Sequence, residues 1–358
     1  MKRTICIVGL AAMFLAAACG KDEDTSSGGN ATPSGGNQPV ALTGEGIYSP
    51  AHRIEHNTDY RAGQSRVWMW GDSQLDAIAD DGDCGALPEE KVRFHYSGQR
   101  VSSIDFTEGY LAGTVGFDYG GDYIDAFSLQ RDALTLVTGM VEHNADHKVN
   151  RLSLSVDSSY VGELLDALGD LAGDFPLPSS VRRGSHPSKL AFSGASAIVD
   201  FAWQGANVSS AVLTFDFAFS VTLSELVQMV EAAQLFDLSS LFGSQQALDM
   251  AMLMFGSTEI PVSVSLADTI EYSYDSHVNP LRGLLSEMSV AMLSANNVVA
   301  EHTNGTATIS ISLPTGSVSR QWPVPSTSRS YSIEYTSDGL PAVITDDEEF
   351  TKEYEYKK

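Results

Sequence analysis

Cysteine is scarce in this 358-residue chain, which has only three: Cys6, Cys19 and Cys84. Cys6 lies inside an N-terminal apolar stretch and Cys19 directly follows it; with Cys6 removed and Cys19 covalently modified, Cys84 is left as the one free thiol. No intramolecular disulfide framework can then form, and stability must come from a packed core. Cys84 sits in Asp80-Asp81-Gly82-Asp83-Cys84-Gly85, a turn-rich stretch. No basic neighbour is there to depress its pKa, so no reactive role is assigned to it.

Positive charge is equally thin. The chain has 21 Lys and Arg against 46 Asp and Glu, a formal charge of −25. Removing residues 1–18 takes Lys2 and Arg3 and no acid, leaving 19 basic against 46 acidic residues and a charge of −27. Nucleic acid as a partner is excluded, because its binders need a basic stripe. Anionic lipid surfaces are excluded too, except through attached acyl chains. The charge fits solubility in an exposed compartment. Known catalytic signatures are missing as well: no Gly-x-Ser-x-Gly elbow, no phosphate-cradling glycine loop and no HExxH occur.

Long apolar runs are absent, and the one at the N-terminus is short. Lys2 and Arg3 precede Ile5 to Leu15, then Ala16 to Ala18 lead into Cys19. That run is too short to cross a hydrocarbon core of ~30 Å as a stable helix, and it reads as an export signal. Small residues before a cysteine resemble the lipobox of bacterial lipoproteins, which implies acylation of Cys19 as the mature N-terminus. Ala16 stands where the lipobox prefers Leu, with Leu15 one position earlier; an ordinary thiol beside a cleavage site is the alternative. Gly20-Lys21-Asp22-Glu23-Asp24 resembles the lysine-plus-acidic signal that sends Bacteroidota-type lipoproteins to the outer face of the outer membrane. A solvated start to a linker, and the periplasmic face, are the competing readings. Acyl chains anchor firmly because each buried methylene adds roughly 0.8 kcal/mol.

Residues 19–42 are dominated by Gly, Ser, Asn, Pro and Thr, a flexible tether. The folded part is expected over 43–358. Within it a loose repeat recurs. Trp68-Met69-Trp70 precedes a polar turn and Leu75. Phe94-His95-Tyr96 precedes Gly98 and Val101. Phe117-Asp118-Tyr119 precedes Gly121 and Ile124. Phe201-Ala202-Trp203 and Ile333-Glu334-Tyr335 start two more units, leading to Val208 and Leu340. Each unit reads as a hairpin. Alternate large residues share a strand face, glycine supplies the positive φ of a tight turn, and the following aliphatic pairs with the aromatic. The next aliphatic comes three positions on, which predicts a bulge or a strand buried on both faces.

Helical insertions are expected near 160–172, 222–256 and 281–293. Val161, Leu164, Leu165, Leu168 and Leu171 keep helical spacing. Thr222-Leu223-Ser224-Glu225 is a capping box. Ala247, Leu248, Ala251, Met252 and Phe255 form a stripe stopped at Gly256. Leu281, Leu284, Leu285, Met288 and Met292 follow Asn279-Pro280. The Met-rich stretch Met250–Met254 reads as a helix face covering a sheet, with a partner groove as the other option.

The repeat units resemble the YD/Rhs-type repeat, in which an aromatic, a glycine turn and an aliphatic recur. The chain is also similar to a group of Bacteroidota-type lipoproteins of unknown function. That likeness rests on Tyr48-Ser49-Pro50-Ala51-His52-Arg53-Ile54, Tyr272-Ser273-Tyr274-Asp275 with Asn279-Pro280-Leu281, Asn296-Asn297 and Tyr354-Glu355-Tyr356. It implies an all-β, porin-like sheet and no assigned activity. The long helical stretch from Leu223 to Phe255 departs from a simple closed barrel, and no Rhs-type C-terminal toxin follows.

Candidate chemistry is sparse. His143 and His147 are four apart beside Glu142 and Asp146, a metal spacing if helical, but they fall between strand-like runs. His52 and His56 share the spacing. Asp80-Asp81-Gly82-Asp83 has carboxylates for calcium without the alternating ligands of an EF-hand loop; Asp346-Asp347-Glu348-Glu349 is similar. Trp68, Trp70, Trp203 and Trp322 are stacking platforms for sugars if exposed, and packing residues otherwise. No catalytic residue, metal ligand or cofactor is assigned, and Cys19 is the one residue given a chemical role.

The expected architecture is mainly β: a serial antiparallel hairpin meander, either a large twisted sheet or a partly closed barrel, with a few helices on one side. The expected function is that of a surface-exposed outer-membrane lipoprotein binding a glycan or another envelope protein without catalysis. The alternative is an extracellular carbohydrate-active hydrolase.

Overall fold

The computed structural model describes residues 53–357, apart from 61–62, 72–73, 82–88, 99, 108–111, 162, 164–190, 234–237, 241 and 283–289. Cys19, Cys84, His52, residues 1–42 and most of the helix expected near 160–172 therefore lie outside the described residues.

Sixteen strands pair antiparallel, each with its sequence neighbours, and the first pairs with the last, so the meander closes into a barrel. They are β1 (Ile54–Asp59), β2 (Gln64–Trp70), β3 (Leu75–Asp80), β4 (Glu89–Ser97), β5 (Arg100–Phe106), β6 (Gly113–Gly120), β7 (Tyr123–Arg131) and β8 (Leu134–His143). Then follow β9 (Val149–Val156), β10 (Ala191–Gln204), β11 (Asn207–Thr222), β12 (Glu259–Val278), β13 (Asn296–Leu313), β14 (Gly316–Tyr335), β15 (Pro341–Asp346) and β16 (Thr351–Tyr356). The meander expected from sequence is present, and closure replaces the open-sheet option.

Alternation fixes which side of the wall is which. In β11, Ala211, Leu213, Phe215, Phe217, Phe219 and Val221 are buried, while Val212, Thr214, Asp216 and Ser220 between them reach solvent to varying degrees. The apolar rows face inward and the polar rows outward. A membrane-embedded barrel needs the reverse, an apolar outer band around a polar interior. Among the described residues no helix is long and apolar enough to cross a membrane.

The repeat has a physical basis that becomes visible at one rim. Every even-numbered strand runs toward this rim and carries an aromatic ring at or within four residues of its end: Trp70, Tyr96, Tyr119, His143, Trp203, Tyr274, Tyr335 and Tyr356. A register shift precedes each of the first seven, as between Met69 and Trp70 or between Glu142 and His143. This is the expected bulge, and it turns the ring toward the neighbouring hairpin. The ring then donates to the carbonyl of the aliphatic residue that opens the preceding ascending strand. Trp70 Nε1 reaches Ile54 O at 2.6 Å, Tyr96 Oη reaches Leu75 O at 2.7 Å and Tyr119 Oη reaches Val101 O at 2.5 Å. Trp203 Nε1 reaches Val149 O at 2.7 Å and Tyr356 Oη reaches Pro341 O at 2.8 Å.

A second bond runs the other way. The residue before that aliphatic donates to a glycine carbonyl in the next hairpin turn: Arg53 to Gly71, Gln74 to Gly98, Arg100 to Gly121 and Lys148 to Gly205. Arg53, Arg100 and Lys148 also sit 5.4–5.5 Å from the centroids of the Trp70, Tyr119 and Trp203 rings. Four junctions are thus latched by two hydrogen bonds of about 1 kcal/mol net apiece and, in three of them, a cation–π contact. The turn glycines Gly98, Gly121, Gly205 and Gly339 have φ of +61° to +78°, as a tight turn requires.

Three rim positions deviate, and at His143 the ring Nε2 has no hydrogen-bond partner. At Tyr274 the hydroxyl meets Ser294 Oγ at 2.9 Å, and that oxygen accepts from Val208 N. Tyr335 donates instead to Asp275, whose other donors are the backbone N–H groups of His277 and Asn297 and the Asn297 amide. The motif Tyr274-Asp275…Asn279-Pro280, with Asn296-Asn297, is thus a polar clasp. It fastens the 279–295 connection to the rim; Asn279 Nδ2 donates to Ser294 O and Asn207 Oδ1 accepts from Asn296 N.

β10–β14 are about twice as long as most other strands and rise above the rest as a tall wall. Upper β14, residues 316–330, pairs only with β13 among the described residues. Pro323 and Pro325 interrupt its donors there, a standard guard against edge-to-edge pairing. Helices crown this end: α1 (Leu223–Ala233), a 3-10 turn at Leu238–Ser240 and α2 (Gln245–Phe255) link β11 to β12. The expected capping box is formed, with Glu225 N donating to Thr222 Oγ1 and Thr222 N to Glu225 Oε2. Leu223, Leu226, Leu248 and Ala251 are buried. α2 leans on α1 and the 3-10 turn rather than on the sheet, leaving Met250, Leu253 and Met254 exposed. In the expected 281–293 helix, the described part is α3 (Val290–Leu293).

Candidate functional site

The predicted candidates disperse. His143 occupies a ring position in the rim; Tyr123 stacks on His147 at 4.9 Å between centroids and packs tilted against His143 at 5.3 Å. His143 Nε2 is buried without a hydrogen-bond partner, and burial holds the ring below its ordinary pKa. The pair is a structural stand-in for the Tyr or Trp found elsewhere in the ring. Among the described residues no group of three or more His, Cys, Asp or Glu is placed to hold a metal ion.

Asp80 lies 3.6 Å from Lys91, and Asp81 lies 3.0 Å from His56. Asp346 is buried and organises the β15–β16 turn by accepting from Phe350 N. Ser65, His56 and Asp81 approach one another without forming a catalytic relay. Hydroxyl and carboxylate both address His56 Nε2, at 3.4 and 3.0 Å, so the ring cannot pass a proton between its two nitrogens.

The four tryptophans are packing residues. Trp68 is buried with Nε1 on Asn57 Oδ1 at 2.7 Å, Trp70 and Trp203 serve the rim, and Trp322 packs against the core. None is a sugar platform on the outer face.

A concave site does exist, on the outer face of the tall wall, where the sequence reading assigned nothing. It is a groove of ≈ 600 Å³ over β9–β13. Pairing register explains it. Ser155, Ser196, Asp216, Ser265 and Thr308 are direct cross-strand partners, one per strand, forming a single row. At 4.7–4.9 Å between strands, that row is roughly 19 Å long. A second row, Gly194, Ala218, Ser263 and Ser310, runs beside it. Small side chains in register leave the hollow, and the bulge between Phe192 and Gly194 bends β10 around it.

The chemistry is that of hydroxyls able to donate and accept, plus two carboxylates. Asp157 accepts from Ser159 N and Oγ, at 2.9 and 2.6 Å, and these bonds hold its carboxyl below the usual range. Asp216 makes no hydrogen bond or ion pair among the described residues. Among the described residues no Lys, Arg or His lines the groove. The signal for it in the sequence is hydroxyls at period two, as in Ser263-x-Ser265 and Thr308-x-Ser310-x-Ser312.

No protein-family model matches the chain, and no curated protein matches it.

Proposed function

We propose that this protein is a lipoprotein of the bacterial outer membrane, acylated at Cys19, facing the cell exterior, that binds a glycan in the serine-lined groove without transforming it. The observation that carries this reading is the in-register row of hydroxyls across five strands. It offers a polyhydroxylated ligand a repeating set of donors and acceptors in a hollow of the right class of size. The likeness to Bacteroidota-type lipoproteins agrees with the anchor and leaves the ligand open.

The polarity of the wall supports a barrel standing in water on its tether rather than lying in the bilayer. β1 starts at the latched rim, the end on which the proposed anchor would act. Nine residues of β12 separate Tyr274 there from Ser265 in the groove, roughly 30 Å of strand. The groove is therefore held away from the anchored end.

The hydrolase alternative has Asp157 and Asp216 in one groove. Hydrolysis of a glycosidic bond needs one carboxyl kept protonated as the acid, and the hydroxyl and amide of Ser159 favour the ionised form of Asp157. Glycan-array binding and turnover assays on the same full-length preparation test both readings. Binding without turnover, lost on filling the hollow with Ser265→Phe, is the expected result. Turnover would favour the hydrolase, and absence of any binding would refute the glycan reading. Metabolic labelling with an alkyne fatty acid, abolished in Cys19→Ala, tests the anchor.

A further inference from the structure

We infer that the groove selects glycans bearing free amino groups over neutral and acidic ones, an inference that rests on the glycan reading above. The residue that sets this preference is Asp216. It stands at the middle of the hydroxyl row, with Ser196 on one side and Ser265 on the other. Its carboxylate is solvent-exposed and carries no ion pair or hydrogen bond among the described residues. It is thus an uncompensated charge inside a concave surface, where low-dielectric walls focus its field.

Among the described residues nothing in the groove opposes it: Asp157 adds a second negative charge, and no described cationic side chain lines the hollow. Further down the wall the Arg151 guanidinium is tied by two bonds to Asp200, at 2.6 and 3.0 Å. An acidic sugar entering the row meets repulsion from both carboxylates and from the −27 charge of the exported chain. A neutral sugar meets hydroxyls alone. A protonated amine adjacent to Asp216, within about 4 Å, gains on the order of tenfold in affinity at a protein surface. That gain is screened as salt shortens the Debye length from ~8 Å to ~3 Å.

The test uses the full-length chain and three probes of equal length: a glucosamine oligosaccharide, its N-acetylated counterpart and a uronic acid oligosaccharide. Calorimetric titration at low and at 1 M salt is expected to rank amino above N-acetyl by about tenfold, with no binding of the uronate. The preference should collapse toward one in Asp216→Asn and at high salt. It should survive in Glu271→Gln, which removes an exposed charge on the same face of β12 outside the groove. Equal affinity for amino and N-acetyl probes overturns the inference while sparing the glycan reading. A preference that persists in Asp216→Asn also overturns it, by assigning the effect to the diffuse charge of the chain. Failure of all three probes to bind overturns both.

Discussion

Asp268→Asn should stabilise the protein at alkaline pH and leave it nearly unchanged in acid. Asp268 belongs to the inward row of β12, between Leu266 and Ile270, with Leu213 and Gly305 as its cross-strand partners. It is 1% exposed, and neither carboxylate oxygen has a hydrogen-bond partner. Burial lifts its pKa from the ordinary 3.8 to about 7. The folded state therefore holds the proton more tightly than the unfolded state. Stability is unpenalised below the unfolded pKa, falls as pH rises between about 4 and 7, and stays reduced above that. A rise of about three units costs on the order of 4 kcal/mol once the group is forced to ionise.

Asparagine keeps the size of the side chain and stays neutral at every pH. It carries a similar burden of unpaired polar atoms to the protonated acid, so the difference between the two proteins isolates the charge. Urea midpoints for both proteins, measured from pH 4 to pH 8.5, should converge at the acid end. They should part by up to about 4 kcal/mol at the alkaline end, with the variant the more stable. Contributions from other carboxylates cancel in the difference. A gap that does not widen with pH, or a variant that is less stable at pH 8, would refute the reasoning.

Three further outcomes follow from the same geometry. His143→Tyr should raise stability by roughly 0.5–1.5 kcal/mol, because a phenol at this ring position can reach the Ile124 carbonyl as Tyr96 reaches Leu75; a thermal midpoint that fails to rise would count against the latch. Trp203→Phe deletes the donor to Val149 O and weakens the Lys148 contact, and should lower stability by about 1–3 kcal/mol in urea titrations. Gly305→Ala places a Cβ 1.6 Å from Asp268 Oδ1 and 2.7 Å from Ala267 O. It should destabilise strongly, with Asp268→Ala restoring only part of the loss; full restoration would locate the whole clash at the carboxylate.

Much of the barrel is legible in the chain because its code is local. An aromatic, a turn and an aliphatic lie within a dozen residues, and five of the eight rim units show that pattern plainly. The other three hide it for identifiable reasons. His143 substitutes for the aromatic, so its unit reads as a metal spacing. Tyr274 is followed by a connection of some seventeen residues before Asn296, which breaks the hairpin rhythm. Tyr356 closes the ring against Ile54, a contact between the two ends of the meander that no local pattern announces. The groove was illegible for another reason. Serine alternation predicts only a polar face, whereas the hollow depends on small residues from five strands falling into one register, which is set by bulges and turn lengths.

The rim and the groove answer different demands on one wall. Strands of six to ten residues have little surface to bury, so β1–β9 rely on the latches between hairpins. β10–β14 bury long apolar rows such as Leu213, Phe215, Phe217 and Phe219, and extend well beyond the short strands at the end opposite the latched rim. Their inner face supplies the stability, which frees the outer face to carry serine, glycine and alanine in place of larger residues. A site built from such residues needs a strong sheet behind it, because small hydroxyl side chains contribute little packing of their own. The tall wall is where this chain can sustain that arrangement, and its groove lies well away from the latched rim.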